Sequence, residues 1–572
     1  MPSSQVPADF LDGVETVTAA IAELVTRFPE HECLIVLDRH WNDERTTLAS
    51  FWKRAKSFQA AVESRGLGVG DSAVVILPNG SDLVACYFGV MLAGGVPALA
   101  AIPSNRVADH RAYLRLVRSV LANAQAKVVC CDDAVAELLE ASDPPILSDT
   151  ELLRRGDVPA SAVSSEATLE TATPSPDDVA TIQYSSGTTG DPKGVMLSHR
   201  AMLNYMRLLR DGAELSTDDV HVNWAPLYHD MGLFGAFLLP LLCGCSTVLI
   251  PTMEFIAAPS LWLRAIDRYR GTVSWAPNFA YSLCAKRIDD KEIEGLDLSS
   301  WRIAFNASEP CLPASVEAFA ERFGPYGYRP EAMTSAWGLA ETVMVGTIHP
   351  VDEAPLIDVV DRRLLATESR AEPTDGDGVA LMATGRPLPN VEIEIRELGN
   401  GARLPDRRVG EIWLRSNCLF EGYRADPKLT AEVVVDGWLN SGDRGYTVDG
   451  HLFFVARVKD LIVIGGEKYM PHDIESMINV VPGVREGCAV AFGVMNESLG
   501  TEVVGAVVET RVEGGKELTA LSRAIRREVS RTTGLGIRLL HLVAPGGISK
   551  TTSGKLARRA TRARYPEVFG AP

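Results

Sequence analysis

Tyr184-Ser185-Ser186-Gly187-Thr188-Thr189-Gly190-Asp191-Pro192-Lys193-Gly194 is the stretch on which the reading of this 572-residue chain turns. An apolar start, Ala180-Thr181-Ile182, precedes it, and Val195-Met196-Leu197 follows. Small hydroxyl residues interleaved with glycine let backbone N–H groups and side-chain hydroxyls converge on phosphate oxygens, while a lysine supplies the neutralising charge. The spacing differs from the Walker pattern, which places a Lys-Ser/Thr pair directly after its second glycine. A plain flexible turn would explain the glycines but not a hydroxyl run closed by a rigid proline and a lysine. Outward from this loop, the apolar runs 72–77, 127–131, 246–250 and 271–275 alternate with helix-length segments, the pattern of parallel α/β layers.

Composition agrees with a large folded enzyme. Hydrophobic residues make up 46% and charged residues 23%, which excludes fibrous and wholly disordered chains. Single cores stop growing near about 250–300 residues, so the length requires several domains. The net charge of −18 means that an anionic partner must be met by a local cluster of cations, and it argues against nucleic-acid binding. The ten cysteines lack zinc-type spacing and read as buried free thiols of a cytoplasmic protein. Met231 to Ile250 carries no charge over 20 residues, the length of a bilayer span. It contains Pro240 and three glycines, however, and runs into Thr247-Val248-Leu249-Ile250, so it is expected to be a buried helix followed by a buried strand.

Residues 143–178 and 368–378 are polar and without periodicity, and the latter segment looks mobile. From Pro389 to Trp413 the period shortens to that of alternating strands, which indicates a β-rich subdomain. The chain is expected to divide into a large α/β unit, 1–456, with parallel-rich sheets, and a small mobile α+β unit, 457–572. In the latter, DIESMINVV, CAVAFGV and EVVGAVVE read as a strand-helix-strand pattern followed by a basic helix near 522–533.

The loop resembles the phosphate-binding signature of the adenylate-forming superfamily, which includes acyl-CoA synthetases and fatty acyl-AMP ligases. Four further matches follow in the expected order: Trp337-Gly338-Leu339-Ala340-Glu341-Thr342, Ser441-Gly442-Asp443, Arg457-Val458-Lys459-Asp460 and Thr551-Thr552-Ser553-Gly554-Lys555. The resemblance implies an enzyme that joins a carboxylate to the α-phosphate of ATP, releases pyrophosphate and passes the acyl group to a thiol. It implies that Thr188, Thr189 and Lys193, within a cradle that includes Ser185, Ser186, Gly187 and Gly190, hold the β- and γ-phosphates. Glu341 would ligate Mg²⁺, beside Gly338, while Thr342 touches the α-phosphate. Trp337 would flank adenine, with Ser308 and Glu309 of Asn306-Ala307-Ser308-Glu309-Pro310 in the neighbouring wall. Asp443 would accept the ribose hydroxyls with Arg457 close by. Lys555 would bridge the attacking carboxylate and the α-phosphate, and Lys459 matches the hinge about which the C-terminal unit turns.

Within the superfamily, Trp224-Ala225-Pro226-Leu227-Tyr228-His229-Asp230-Met231-Gly232-Leu233 is similar to fatty acyl-AMP ligases, which deliver acyl groups to acyl-carrier proteins, and the acid would lie near His229. The polar segment at about 345–380 resembles the insertion that restrains domain rotation in that branch. Ile464-Gly465-Gly466-Glu467-Lys468 instead resembles the pantetheine-lining turn of acyl-CoA synthetases, where a backbone without Cβ can line a narrow tunnel. Either CoA or the phosphopantetheine of a carrier protein therefore fits as acceptor. Departures from the family pattern are Ser441 for Thr, Ala456 for Gly and Ser549 for Pro. They leave open a specialist that converts only a preformed acyl-AMP, and a non-catalytic nucleotide-binding protein is the third alternative.

Overall fold

The computed structural model describes residues 6–7, 9–103, 110–159, 172–185, 192–376, 378–465, 467–551 and 555–570. Two large sheets with parallel interiors dominate it. One runs in the order Gly422–Tyr423, Lys193–Ser198, Val179–Ser185, Val96–Leu99, Ser72–Ile76, Ala126–Cys131 and Glu151–Arg154. The first two pairings are antiparallel and the rest parallel. The other has a parallel interior of Met333–Trp337, Ile303–Asn306, Val273–Ala276, Val220–Asn223, Ser246–Leu249 and Glu32–Leu37, with antiparallel edges. Parallel strands need crossover connections that cover both faces, so the interior strands are buried along nearly their whole length rather than on alternate residues.

The second sheet shows how both faces are filled. Successive side chains of a strand point to opposite faces. Ser274 therefore turns toward helix Ser260–Tyr269 and accepts the Trp262 indole N–H at 2.8 Å, while Trp275 turns away and stacks on Phe305 at 3.6 Å. Trp262 is the hub of its layer, with edge contacts to Trp224, Phe255, Tyr281 and Trp301 at 5.3–6.1 Å. The uncharged stretch 231–250 lies inside this body as a π-helix, Met231–Leu238, one further helical turn and the strand Ser246–Leu249. No helix among the described residues is long and apolar enough to cross a membrane. All ten cysteines are free and buried.

An antiparallel sheet carries Val391–Arg396, Gly410–Ser416 and Trp438–Val448, with His451–Arg457 paired to the last of these, as the alternation after Pro389 predicts. Residues 357–382 form a hairpin, Ile357–Asp361 with Gly378–Met382, around helix Arg362–Glu368. The polar stretch 368–378 is thus tied into structure, with Thr374 donating its N–H to Val359 O at 3.0 Å. Beyond residue 457 the expected order is corrected. Pro471–Asn479 is a helix, Val484–Asn496 and Thr501–Thr510 are antiparallel strands, and the basic helix is longer than expected, Gly515–Thr533, before strand Ile537–Val543 pairs in parallel. The apolar Ile474, Ile478 and Val481 recur at helical spacing and pack into one core with Leu521, Ile525 and Val529, so burial of a stripe decides the period.

Trp262→Ala should remove about 3–5 kcal/mol of stability, because the cavity it leaves is walled by rigid rings that cannot collapse into it. A drop in thermal midpoint measured by calorimetry checks this, and Trp41→Ala, at an exposed site, serves as the control with little change.

Candidate functional site

The predicted residues converge where the C-terminal ends of the strands meet the chain beyond residue 457. Lys193 opens the strand that returns antiparallel to Val179–Ser185, with Ser185 opposite Lys193. Its neighbour must be glycine: a Cβ on Gly194 would stand 2.7 Å from Asn123 Oδ1 and 3.1 Å from Arg424 Cβ. Lys193 Nζ rests 5.0 Å above the Tyr423 ring, and the Tyr423 hydroxyl donates to Glu341 Oε1 at 2.5 Å. Desolvation lowers the Lys193 pKa, and the nearby Lys459 charge lowers it further against the pull of Glu341 and Asp426. Glu341 shifts the other way. Desolvation raises it, while Tyr423 and Lys193 hold it down. Ser186, Gly187, Thr188, Thr189 and Gly190 lie outside the described residues, as does the side chain of Ser185.

Glu341 sits on a sharp turn after strand Met333–Trp337. A Cβ on Gly338 would fall 2.2 Å from Met344 O, so the chain can fold back here only without a side chain. Thr342 donates its hydroxyl to Leu339 O at 3.0 Å, and Val343 adopts a left-handed φ of 69°. That is a rare conformation for a β-branched residue, and such strain collects at functional sites when the surroundings enforce it.

Asp443 is bound by two of its predicted companions. Trp337 Nε1 donates to its Oδ2 at 2.9 Å and Arg457 Nε lies 3.5 Å from its Oδ1, a pairing fixed by the strand register that sets Asp443 opposite Arg457. Burial raises the Asp443 pKa, against the opposing charge of Arg457. Ser441 does the work of a threonine: its hydroxyl donates to Ile412 O at 2.7 Å and accepts the Asp443 N–H at 3.1 Å.

Lys555 reaches the same place from the far end of the chain. Thr551 and Lys555 hold each other: Thr551 N donates to Lys555 O at 2.8 Å and Lys555 N to Thr551 Oγ1 at 3.1 Å. Ser549, just upstream, gives its N–H to Thr561 Oγ1 at 3.1 Å, a bond a proline could not make. Lys555 Nζ stands 3.3 Å from His229 Nε2. Desolvation lowers the Lys555 pKa, and so does Arg457, while Asp230 and Glu309 oppose the shift. His229 is held from behind by Gln183, whose amide donates to Tyr228 O at 2.8 Å and so ties this segment to the strand entering the hydroxyl-rich loop.

Ser308 takes a φ of 74° and points its hydroxyl at Met231 Sδ, 3.6 Å away. Glu309 is turned to the Phe279 backbone N–H, which it accepts at 2.5 Å, and desolvation raises its pKa. Its carboxylate thus faces the lysine end of the site. Gly465 belongs to another contact, its N–H donating to Thr501 Oγ1 at 2.8 Å; Gly466 lies outside the described residues. Among the described residues no group of three or more His, Cys, Asp and Glu side chains could hold a metal. An ion held there would take few protein carboxylates, as Mg²⁺ does, and would fill its shell with phosphate oxygens and water. Sequence reasoning missed Tyr423, Asp230 and Gln183. Only the adjacency of Asp230 to His229 hinted at any of them.

Two lysines from distant parts of the chain, Lys193 and Lys555, thus come into one region with the carboxyl groups of Glu341 and Asp443. Comparison agrees: residues 21–424 match the model of the AMP-binding enzyme family, and the chain belongs to that family. A Caulobacter vibrioides protein with a provisional acyl-CoA synthetase name is 32% identical over 510 residues, covering 87% of this chain and 86% of its own. A medium-chain fatty-acid acyl-carrier-protein ligase from Moorena producens is 29% identical over 513 residues, covering 87% and 86%. A structure from work on fatty acyl-adenylate ligases of E. coli and L. pneumophila superposes with a TM-score of 0.90 at 29% identity, over 98% of this chain and 99% of that one. The protein is an adenylate-forming ligase of the fatty acyl-AMP ligase and acyl-CoA synthetase type.

Asp443→Ala should cost about 1–3 kcal/mol, because it strands the Trp337 indole N–H without an acceptor. Asp443→Asn, which keeps an acceptor oxygen, should recover most of the loss in urea unfolding.

Proposed function

We propose that the protein activates a medium-to-large apolar carboxylic acid with ATP and transfers the acyl group to a phosphopantetheine thiol, on CoA or on an acyl-carrier protein. The observation that carries this reading is the approach of Lys555 Nζ to His229 Nε2 at 3.3 Å, across 326 residues of sequence. It supports reading Lys555 as the ammonium group that would meet an acid carboxylate and an α-phosphate. Their encounter brings two anions together, so preorganised positive charge lowers the barrier directly.

In this reading the acid enters beside His229, Met231 and Phe279, with its carboxylate against Lys555. The carboxylate oxygen attacks the α-phosphorus, the bond to the bridging oxygen breaks, and pyrophosphate leaves toward Lys193, Thr188 and Thr189. Thr342 steadies the α-phosphate, and Asp443 takes the ribose hydroxyls while Trp337 and Arg457 fix its carboxylate. Mg²⁺ on Glu341 would neutralise phosphate charge. Residues 457–572 would act as a mobile unit turning at Lys459, to replace Lys555 by the thiol channel at Gly465 and Gly466 for the second step; such exchange of faces lets one site run two reactions. The segment at 345–380 would restrain that turn, and Arg362 within it already pairs with Asp473 of helix Pro471–Asn479.

ATP–pyrophosphate exchange across a panel of acids tests the reading. Lys555→Ala should lower exchange about 10²–10³-fold, the usual cost of one preorganised charge. Consumption of synthetic acyl-AMP by CoA or a loaded carrier protein should survive that change, and comparing the two thiols decides the acceptor. Exchange absent with every acid, alongside acyl-AMP consumption, would favour the specialist for the second step. The pH profile follows from charge. The ammonium form is the active one and its pKa lies below the usual 10.5, so exchange should fall as pH rises, at a lower pH than for an ordinary lysine. In Lys555→Arg the guanidinium stays charged, so its lower rate should be flat across that range.

A further inference from the structure

His229 has a second neighbour that no motif assigns. Asp230 Oδ1 is in hydrogen-bonding contact with His229 Nδ1, on the side of the ring opposite Lys555. An ammonium group only donates, so at the Lys555 contact Nε2 is the acceptor, and a neutral imidazole accepting at Nε2 carries its proton on Nδ1. That proton faces Asp230. The Met231 N–H is shared between His229 Nδ1 at 3.3 Å and Asp230 Oδ1 at 2.7 Å, and the shorter branch, to the carboxylate, is the stronger one. Asp230 caps the π-helix Met231–Leu238 through this bond, which fixes its place independently of any substrate. The turn is equally fixed: a Cβ on Gly232 would lie 2.1 Å from Pro226 O. π-Helical turns are rare and recur at functional sites, where they re-aim the residues beside them.

We propose that Asp230 is a positioning residue for adenylation: it locks His229 in the Nδ1–H form, so that Nε2 holds the Lys555 ammonium at the reaction point before acid and nucleotide arrive. This rests on the reading of the site given above. The charges facing Lys555 support it. The carboxyl groups of Asp230, from the start of the π-helix, and Glu309, from the segment after strand Ile303–Asn306, favour the charged lysine, while Arg457 opposes it.

The test uses the full-length protein and two variants, Asp230→Asn and His229→Asn. Lys555 is labelled with acetic anhydride and compared by mass spectrometry with exposed Lys516 in the same chain. In Asp230→Asn the Lys555-to-Lys516 labelling ratio should rise at least fivefold, since both the hold on the amine and the field keeping it protonated are weakened. The double variant should match His229→Asn within about twofold, because Asp230 acts through the ring. Exchange should fall 10-fold or more in Asp230→Asn, while thioester formation from synthetic acyl-AMP stays within about twofold. An unchanged labelling ratio, fully additive effects, or equal loss in both half-reactions would overturn the proposal. Should wild-type protein show no exchange with any acid, the functional reading fails, while the labelling ratio still decides the role of Asp230.

Discussion

The contact between Lys555 and His229 is the constraint around which the site is assembled. Placing an ammonium group away from bulk water is costly unless opposite charge and acceptors receive it. Here Asp230, Glu309 and the His229 ring do so, and the price is visible in the lowered lysine pKa. Further ion pairs tie the chain beyond residue 457 to the rest: Arg362 pairs with Asp473, and Lys286 pairs with Glu486. Arg558 braces the C-terminal residues internally, joining Asp460 at 3.3 Å and Glu475 at 2.6 Å. The pose is therefore supported at the 357–382 hairpin and on helix Asn278–Arg287, as well as at the lysine.

Charge of opposite sign is sorted along the site. At the loop end, desolvation depresses the Lys193 pKa and the like charge of Lys459 depresses it further. Two anionic oxygens arriving there would relieve that repulsion, which is the sense in which an empty site can be poised for a polyanion. At the other end, Lys555 is faced by Asp230 and Glu309, with Arg457 opposing them. Glu341 is raised chiefly by desolvation and further by Asp230, and lowered by Tyr423 and Lys193.

Much of this was legible in the sequence, for a definable reason. Strands 72–76, 126–131, 246–249 and 273–276 stood out because parallel strands buried on both faces are unbroken apolar runs. The cations and carboxylates of the site stood out because each sits in a short motif whose glycines and hydroxyls have few other uses. Helix Pro471–Asn479 was misread because Asp473-Ile474-Glu475 and Met477-Ile478-Asn479 alternate well enough to imitate a strand, and only the stripe it buries reveals the helix. Tyr423 was invisible for a different reason. Its role comes from a two-residue strand, Gly422–Tyr423, pairing with residues 195–196, more than 220 positions away, and no local pattern encodes that register.

The bond from Gln183 to the Tyr228 carbonyl joins two recognitions that are chemically unrelated. One end leads into the hydroxyl-rich loop and the other into the histidine segment, so both share a single mount. Enlarging the room for an acid by shifting the backbone at 224–230 would drag the loop's entrance with it. Changes of side chain that leave that backbone still escape the penalty, so diversification of the acid is steered toward substitutions on the opposing walls.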